Sequence, residues 1–215
     1  MSLKALFYPN VPFDTLFIPY IYREIYFEGI YIDTFRDRKD MVVIDVGANI
    51  GVVAQYMRDH CKELHAIEPS KEHFEALKKN KEFNKWDNVE VHRLAIADKN
   101  GEMTLYKNEA NRTCHSLTQD YTSKGYGVER VVTVGMNTFL TKNKIKKVDF
   151  MKFDVEGAED LILRSEEFKK AAPKIDSIMV EFHHPTWQEL VDYMIKLGYQ
   201  ARRFESSAIV VLFTR

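Results

Sequence analysis

The side chains best able to do chemistry fall in two short stretches of the sequence. The first is Asp45-Val46-Gly47-Ala48-Asn49-Ile50-Gly51, which follows an apolar run and precedes a helical pattern. Glycines at 47 and 51 let the backbone turn tightly and approach a ligand closely, and a helix starting there offers free N–H groups. The spacing is GxxxG rather than GxGxxG, so Asn49 stands where a dinucleotide pyrophosphate needs its closest backbone approach. That disfavours a nicotinamide dinucleotide and favours a nucleoside ligand without phosphate. Glu68 lies 21 residues after Gly47, within Ala66-Ile67-Glu68-Pro69-Ser70. An acid at that remove can accept both hydroxyls of a ribose. Pro69 turns the chain away from its strand, and Ser70 suits a helix N-cap.

The second stretch is Asp154-Val155-Glu156-Gly157-Ala158-Glu159, at the carboxyl end of another apolar run. Open α/β sheets bind ligands outside the carboxyl ends of their strands, which is where Asp154 and Glu156 would sit. Gly157 permits a sharp turn, and Glu159 suits the positive first turn of the helix that follows, a capping role only. Further on, Glu181 and His183 lie two apart on a strand and so project to one face. If that strand neighbours the one carrying Asp154, then Asp154, Glu181 and His183 form a proton-accepting cluster, with His183 as base. His184, His115 and Glu156 are the substitutes for that role. The same oxygen and nitrogen donors could instead hold a hard divalent ion, though nothing in the spacing specifies one.

The elements that must position these groups alternate along the chain. The β-branched run 41–46 suits a central strand covered on both faces. A helix at 50–60, a strand at 64–67, a helix at 70–84 and a third strand at 89–96 follow. A short edge strand at 101–106 comes next, then a polar, aperiodic stretch at 107–127 of the kind that often covers an active site. Strands at 131–134 and 148–153, a helix at 159–168, a strand at 177–182 and a helix at 187–197 complete the alternation. Gly198 closes that last helix, and runs at 200–204 and 208–213 should pair antiparallel. This order predicts an α/β sandwich on a mostly parallel sheet with right-handed crossovers.

Composition narrows the partners. Thirty-one Lys and Arg against 32 Asp and Glu give a net charge of -1 over 215 residues, with no general attraction to a polyphosphate, so no nucleic acid is expected. The lysine runs at 78, 79, 81, 85 and at 142, 144, 146, 147 read as solvated faces. No apolar run approaches the roughly 18 residues of a spanning helix, and no secretory leader is visible. Cys61 and Cys114 have no metal or disulfide spacing. The expectation is a cytoplasmic protein without a membrane partner. Ten of the 27 aromatic residues fall within positions 1–35, which predicts an aromatic arm over 1–40 packing on a main domain at 41–215.

Val43-Ile44-Asp45-Val46-Gly47-Ala48-Asn49-Ile50-Gly51 together with Asp154-Val155-Glu156-Gly157-Ala158-Glu159 resembles the FkbM family of S-adenosylmethionine-dependent methyltransferases. Ala95-Ile96-Ala97-Asp98, Ser116-Leu117 and Glu181-Phe182-His183 match further family features, whereas Gly135-Met136-Asn137-Thr138-Phe139-Leu140 departs from the Thr-Leu-Asp-like segment expected there. The resemblance covers about residues 41–185. It implies a class I methyltransferase fold, a Rossmann-like sandwich with a mostly parallel seven-stranded sheet and a C-terminal antiparallel hairpin.

For the site, the resemblance implies S-adenosylmethionine as cofactor and S-adenosylhomocysteine as product. Gly47, Ala48, Asn49 and Gly51, with Asp45 before them, would lie beside the methionine part. Glu68, followed by Pro69 and Ser70, would hold the ribose. Ala95, Ala97 and the rest of 95–98 would flank the adenine, and Asp154 would lie nearest the sulfonium methyl. The implied acceptor is a hydroxyl on a small metabolite, sugar or glycan. The Asn/Asp-Pro-Pro-aromatic motif of amine methylation on nucleic acids is missing, and neither cysteine follows a proline as pyrimidine C5 chemistry would need. Two rivals stay open: a noncatalytic cofactor-binding module, and an RNA methyltransferase, which would need a basic groove.

Overall fold

The computed structural model describes residues 31–35, 38–108, 115–119, 127–204 and 208–215. Its framework is a seven-stranded sheet in the order β3-β2-β1-β7-β8-β10-β9. The strands are β1 (Met41–Val46), β2 (Cys61–Ile67), β3 (Val89–His92), β7 (Phe150–Phe153), β8 (Ser177–Phe182), β9 (Gln200–Arg203) and β10 (Ile209–Thr214). All neighbours from β3 to β8 are parallel, and β10 lies antiparallel between β8 and β9. This is the sheet of a class I methyltransferase.

The sequence explains the middle of this sheet. β1 is buried along nearly its whole length, and its side chains serve both faces in turn. Val43 joins an apolar cluster with Met57, Leu64, Leu77 and Trp86, whereas Ile44 and Val46 join the opposite one with Phe153, Phe168 and Val180. A strand with two apolar faces has no solvent side and must be central. Strand order runs outward from β1 through β2 to β3, then crosses back to β7. Asp45 therefore pairs with Ala66 on one side and Lys152 on the other. The crevice beyond β1 and β7 is the switch point at which such sheets bind ligands.

Helices α2 (Val52–Met57), α3 (Lys71–Asn84), α4 (Met136–Lys142), α5 (Glu159–Leu163), α6 (Glu166–Ala171) and α7 (Trp187–Lys196) cover the sheet, after a short α1 (Ile32–Phe35). Three expectations need correcting. The third strand does not run from 89 to 96: β3 ends at His92, and β4 (Ala95–Ala97) joins a separate sheet in the order β4-β6-β5 with β5 (Gly101–Tyr106) and β6 (Val128–Gly135). Arg93-Leu94 is the step between sheets, and an apolar alternation running through both strands cannot reveal it. The helix expected at 159–168 is two, because Ser165 Oγ accepts from Phe168 N–H (3.1 Å) and starts α6 afresh. The helix expected at 50–60 is shorter, and its last residues, Arg58–His60, tighten to 3-10 geometry.

Of the ten aromatic residues in 1–35, only Tyr31 and Phe35 fall among the described residues. Both are buried, and both lie edge-on to Phe150 at ring separations of 6.3 and 4.9 Å. The other eight, and Cys114, lie outside the described residues.

Candidate active site

The loop after β1 is shaped by what it touches inside the protein. Gly47 (φ 79°) presses against the loop after β7, where any Cβ would overlap the carbonyl oxygen of Asp154. Gly51 (φ 92°) presses against Leu77 and Trp86. The room their missing side chains leave is filled by protein rather than held open for a ligand, as the sequence alone suggested. Four of its N–H groups are also engaged. Gly47 and Ala48 both donate to the Ile67 carbonyl (3.0 Å each), Asn49 to Glu68 Oε2 (2.9 Å) and Gly51 to the Ala48 carbonyl (2.8 Å). A loop whose donors are spent offers shape and not charge, which suits a ligand without phosphate.

Glu68 is buried and held at both oxygens by backbone. Oε2 accepts from Asn49, and Oε1 accepts from Ser70 N–H at 2.9 Å. A carboxylate has about four lone-pair sites, so two remain for hydroxyl donors. Its own N–H donates to the His92 carbonyl (3.0 Å), which ties it to the end of β3. Ser70 is the N-cap of α3, as expected, but its hydroxyl makes no capping bond and is buried without a partner. Pro69 stands between them. His73, on the first turn of α3, has Nδ1 3.8 Å from Glu68 Oε1 and stacks on His115 at 4.7 Å. Burial and the neighbouring His73 lower the His115 pKa to about 4, so that ring is neutral.

Sequence reasoning missed Lys152. It sits on β7 with its side chain 8% exposed, and its ammonium lies 3.1 Å from Asp154 Oδ2, 3.3 Å from the Gly47 carbonyl and 3.6 Å from Asp45 Oδ1. Burial alone would lower its pKa, but the carboxylates of Asp154 and Asp45 outweigh that and raise it. Asp45 is fully buried, and burial raises its pKa against the pull of Lys152. Lys152 thus ties the first motif to the second. An apolar run with one lysine in it, Phe150-Met151-Lys152-Phe153, was the available signal. Tyr31 reaches the same neighbourhood: burial holds its hydroxyl protonated, with Lys152 opposing and Asp45, Glu181 and Asp154 reinforcing.

The second motif closes around His183. Its Nδ1 lies 3.0 Å from Glu159 Oε1, and its Nε2 lies 3.4 Å from Glu181, 3.5 Å from Glu156 and 4.0 Å from Asp154. Asp154, Glu181 and His183 therefore do come together, and Glu156 and Glu159 join them. Glu159 is more than a helix cap: it is fully buried, and the same oxygen that meets His183 also accepts from Gly157 N–H (3.0 Å). Burial disfavours a charged ring, yet the hydrogen bonds to Glu159 and Glu181 and the fields of Asp154 and Glu156 push the His183 pKa up to about 11. At such a pKa the ring expected to act as base carries its proton at neutral pH. His184 bonds Thr186 (2.7 Å) instead of joining the cluster.

The remaining expected residues lie in the small sheet. Ala95 and Ala97 are buried on β4, and beyond them Asp98 Oδ1 is buried without a hydrogen-bond partner. Asp154 Oδ1 and Ser70 Oγ are in the same condition. Buried polar atoms are seldom left unpaired unless a ligand or solvent completes them. Ser70 Oγ two residues from Glu68 and Asp154 Oδ1 at the switch point fit a polar, nucleoside-bearing cofactor. Asp154, Glu156 and His183 also have the spacing of a metal site. Among the described residues, no helix is long and apolar enough to cross a membrane.

Known proteins resemble this chain. "Methyltransferase 1" of Beauveria bassiana (strain ARSEF 2860) is 26% identical over 190 residues, which span 79% of this chain and 75% of that protein. The crystal structure of methyltransferase FkbM from Methylobacillus flagellatus KT superposes with a TM-score of 0.52 at 15% identity, covering 82% of this chain but only 44% of that one. An rRNA methylase from Streptococcus thermophilus superposes at 0.54 with 10% identity, over 87% of this chain and 93% of that one. At such identities the two solved structures speak for the fold alone. The description of the FkbM methyltransferase domain matches residues 45–201, from the buried Asp45 past both motifs and into β9. The chain therefore belongs to the FkbM methyltransferase family.

Proposed function

We propose that this methyltransferase draws its methyl group from S-adenosylmethionine and places it on a hydroxyl of a small metabolite, sugar or glycan. The observation that carries the reading is one end of the sheet, beyond the parallel strands β2, β1, β7 and β8, that bears a backbone-clamped Glu68 on one side and four carboxylates around His183 on the other. When bound, the cofactor supplies a methyl already activated on a sulfonium, so the protein has to align the reactants and take up the acceptor's proton. Glu68 would hold the two ribose hydroxyls with its spare lone pairs. Asp98 Oδ1 would accept from the exocyclic amine of the base, and Asp154 Oδ1 would face the cationic end. Asp45, Gly47, Ala48, Asn49 and Gly51 would set the shape of the methionine side.

Proton uptake falls to Glu181. Its Oε1 is 3.4 Å from His183 Nε2, and it is more exposed than Glu156, Glu159 or Asp154. His183, kept charged, holds that carboxylate in place and stabilises the cluster's negative charge. Hydroxyl acceptors are supported by the cluster's lack of an amine-methylation motif, and a balanced net charge argues against RNA.

The test is thermal unfolding with S-adenosylmethionine, S-adenosylhomocysteine and NAD in parallel, on the chain and on Glu68→Ala. A ligand at about 100 times its dissociation constant adds roughly 2.7 kcal/mol. Both sulfur cofactors should raise the midpoint, NAD should not, and the variant should lose the response. Label transfer from methyl-tritiated cofactor to sugars and hydroxylated metabolites, with total RNA alongside, then reads the acceptor. Label appearing in RNA alone overturns the assignment of a small metabolite, sugar or glycan as acceptor.

A further inference from the structure

A second group of metal-ligating side chains converges on one face of β2 and β3, away from the crevice. In their parallel pairing His65 lies opposite Glu90 and Ile67 opposite His92, so His65, Glu90 and His92 project the same way. His65 Nδ1 is 3.0 Å from His92 Nε2. Glu90 Oε2 lies 3.7 Å from the first nitrogen and 3.9 Å from the second. Ligands held tetrahedrally at about 2.0–2.1 Å from zinc stand about 3.3 Å apart, a spacing these distances bracket. Glu90 is 63% exposed, so its carboxylate can swing the few tenths of an ångström required.

The surroundings are those of a built site. The far nitrogen of His65, Nε2, lies 2.9 Å from Glu63 Oε1. A carboxylate behind a histidine fixes the proton on that nitrogen and leaves the other one a lone pair, as behind metal-bound histidines. His65 itself is 1% exposed. Phe139, from α4, stands edge-on to both imidazoles at 5.9 and 5.1 Å and closes the inner side. The side chains of His92 and Glu90 are 16% and 63% exposed. Without a metal, one proton shared between the two rings satisfies the pair.

We propose that His65 Nδ1, His92 Nε2 and Glu90 bind a divalent transition metal of the zinc class, with a fourth position open to water. Two imidazoles and one carboxylate suit zinc and its neighbours in the first row and do not suit magnesium or calcium. The metal would clamp the edge strand β3 to β2 directly beneath Glu68, whose N–H already donates to the His92 carbonyl. Its role is structural, and it does not depend on the methyl acceptor.

The experiment titrates the chelator-treated full chain with Zn2+ alone, read by thermal unfolding, and with Co2+ alone, read by its visible absorption. Glu90→Gln, at an exposed position, and His92→Gln test the ligands, while Asp154→Asn tests the other carboxylate–histidine group. The wild type and Asp154→Asn should take up one equivalent, with a raised midpoint and an intense cobalt band. Glu90→Gln should bind at least tenfold more weakly. No response in the wild type, or equal binding by Glu90→Gln and wild type, overturns the proposal however the other variants behave.

Discussion

On the β1–β2 side of the crevice, Glu68 is fixed by two backbone N–H groups from Asn49 and Ser70. On the β7–β8 side, His183 is fixed by the side chains of Glu159, Glu181, Glu156 and Asp154. Backbone donors do not titrate, so the first half holds its acid with groups whose charge does not change with pH. Side-chain charges hold one another, so in the second half each group's ionisation depends on the rest. On the proposed function, the rigid half would hold the cofactor, and the half that can redistribute charge would take the acceptor and its proton.

Lys152 joins the two halves and carries the largest expected effect. Its partners are Asp45 of the first motif and Asp154 of the second, and both it and Asp45 are buried. Removing one member of a buried ion pair strands the other, at a cost of about 3–5 kcal/mol. Lys152→Met should lose that much in urea denaturation, and adding Asp45→Asn should restore part of it. A loss below about 1 kcal/mol would mean that the halves are not coupled through this lysine. Next comes Glu181→Gln, which should lower kcat by about 10²-fold or more while leaving the cofactor's melting shift intact. Glu68→Ala should do the reverse to the shift and also cost about 1–3 kcal/mol, because two backbone donors lose their acceptor. If both variants lost the cofactor response equally, the division of labour between the halves would be wrong.

The pH dependence separates them again. His183 has its pKa raised from an ordinary value near 6.5 to about 11. A group whose folded pKa is raised contributes stability that is fully present below its unfolded pKa and is lost as pH rises through the folded one. Stability from the β7–β8 half should therefore decline between about pH 6.5 and 11, and His183→Gln should flatten that decline. The measurement is urea unfolding at pH 6 and pH 10 for both proteins. An unchanged pH slope in the variant would show that the ring is not held charged.

The same contrast sets what could be read before the structure. The first half is local: a strand, a glycine turn and an acid 21 residues on are contiguous signals, and Gly47, Glu68 and Ser70 stand where the pattern put them. The middle of the sheet was legible for the same reason, since β1, β7 and β8 declare themselves by apolar runs. The second half is assembled across the sheet. Only the pairing of β7 with β8 brings Glu159 to His183, and the sequence gives no reason to lift Glu159 above a helix cap. Lys152 was hidden because a lysine inside a buried strand is intelligible only with Asp45 and Asp154 beside it. The break at Arg93-Leu94 escaped because a change of sheet leaves the alternation intact.

The smallest effect is backbone strain, and it too differs between the halves. Each loop carries one non-glycine residue in the left-handed region, Asn49 (φ 50°) and Glu156 (φ 52°). Asparagine visits that region readily, whereas glutamate pays the ordinary cost of about 1–2 kcal/mol. Comparing Gly with Ala at each position removes side-chain chemistry from the measurement. At both sites Gly should be the more stable by about 1 kcal/mol, since relief of strain is offset in part by glycine's freedom in the unfolded chain. Wild type then locates itself between the two. At 49 it should match Gly, because Asn already fits. At 156, once the charge is removed by Glu156→Gln, it should match Ala. Strain kept on a residue that faces His183 and not on its counterpart means that Glu156 stays for its carboxylate. If Glu156→Gln matched Gly, the loop would be unstrained, and the two halves would differ only in how their charges are held.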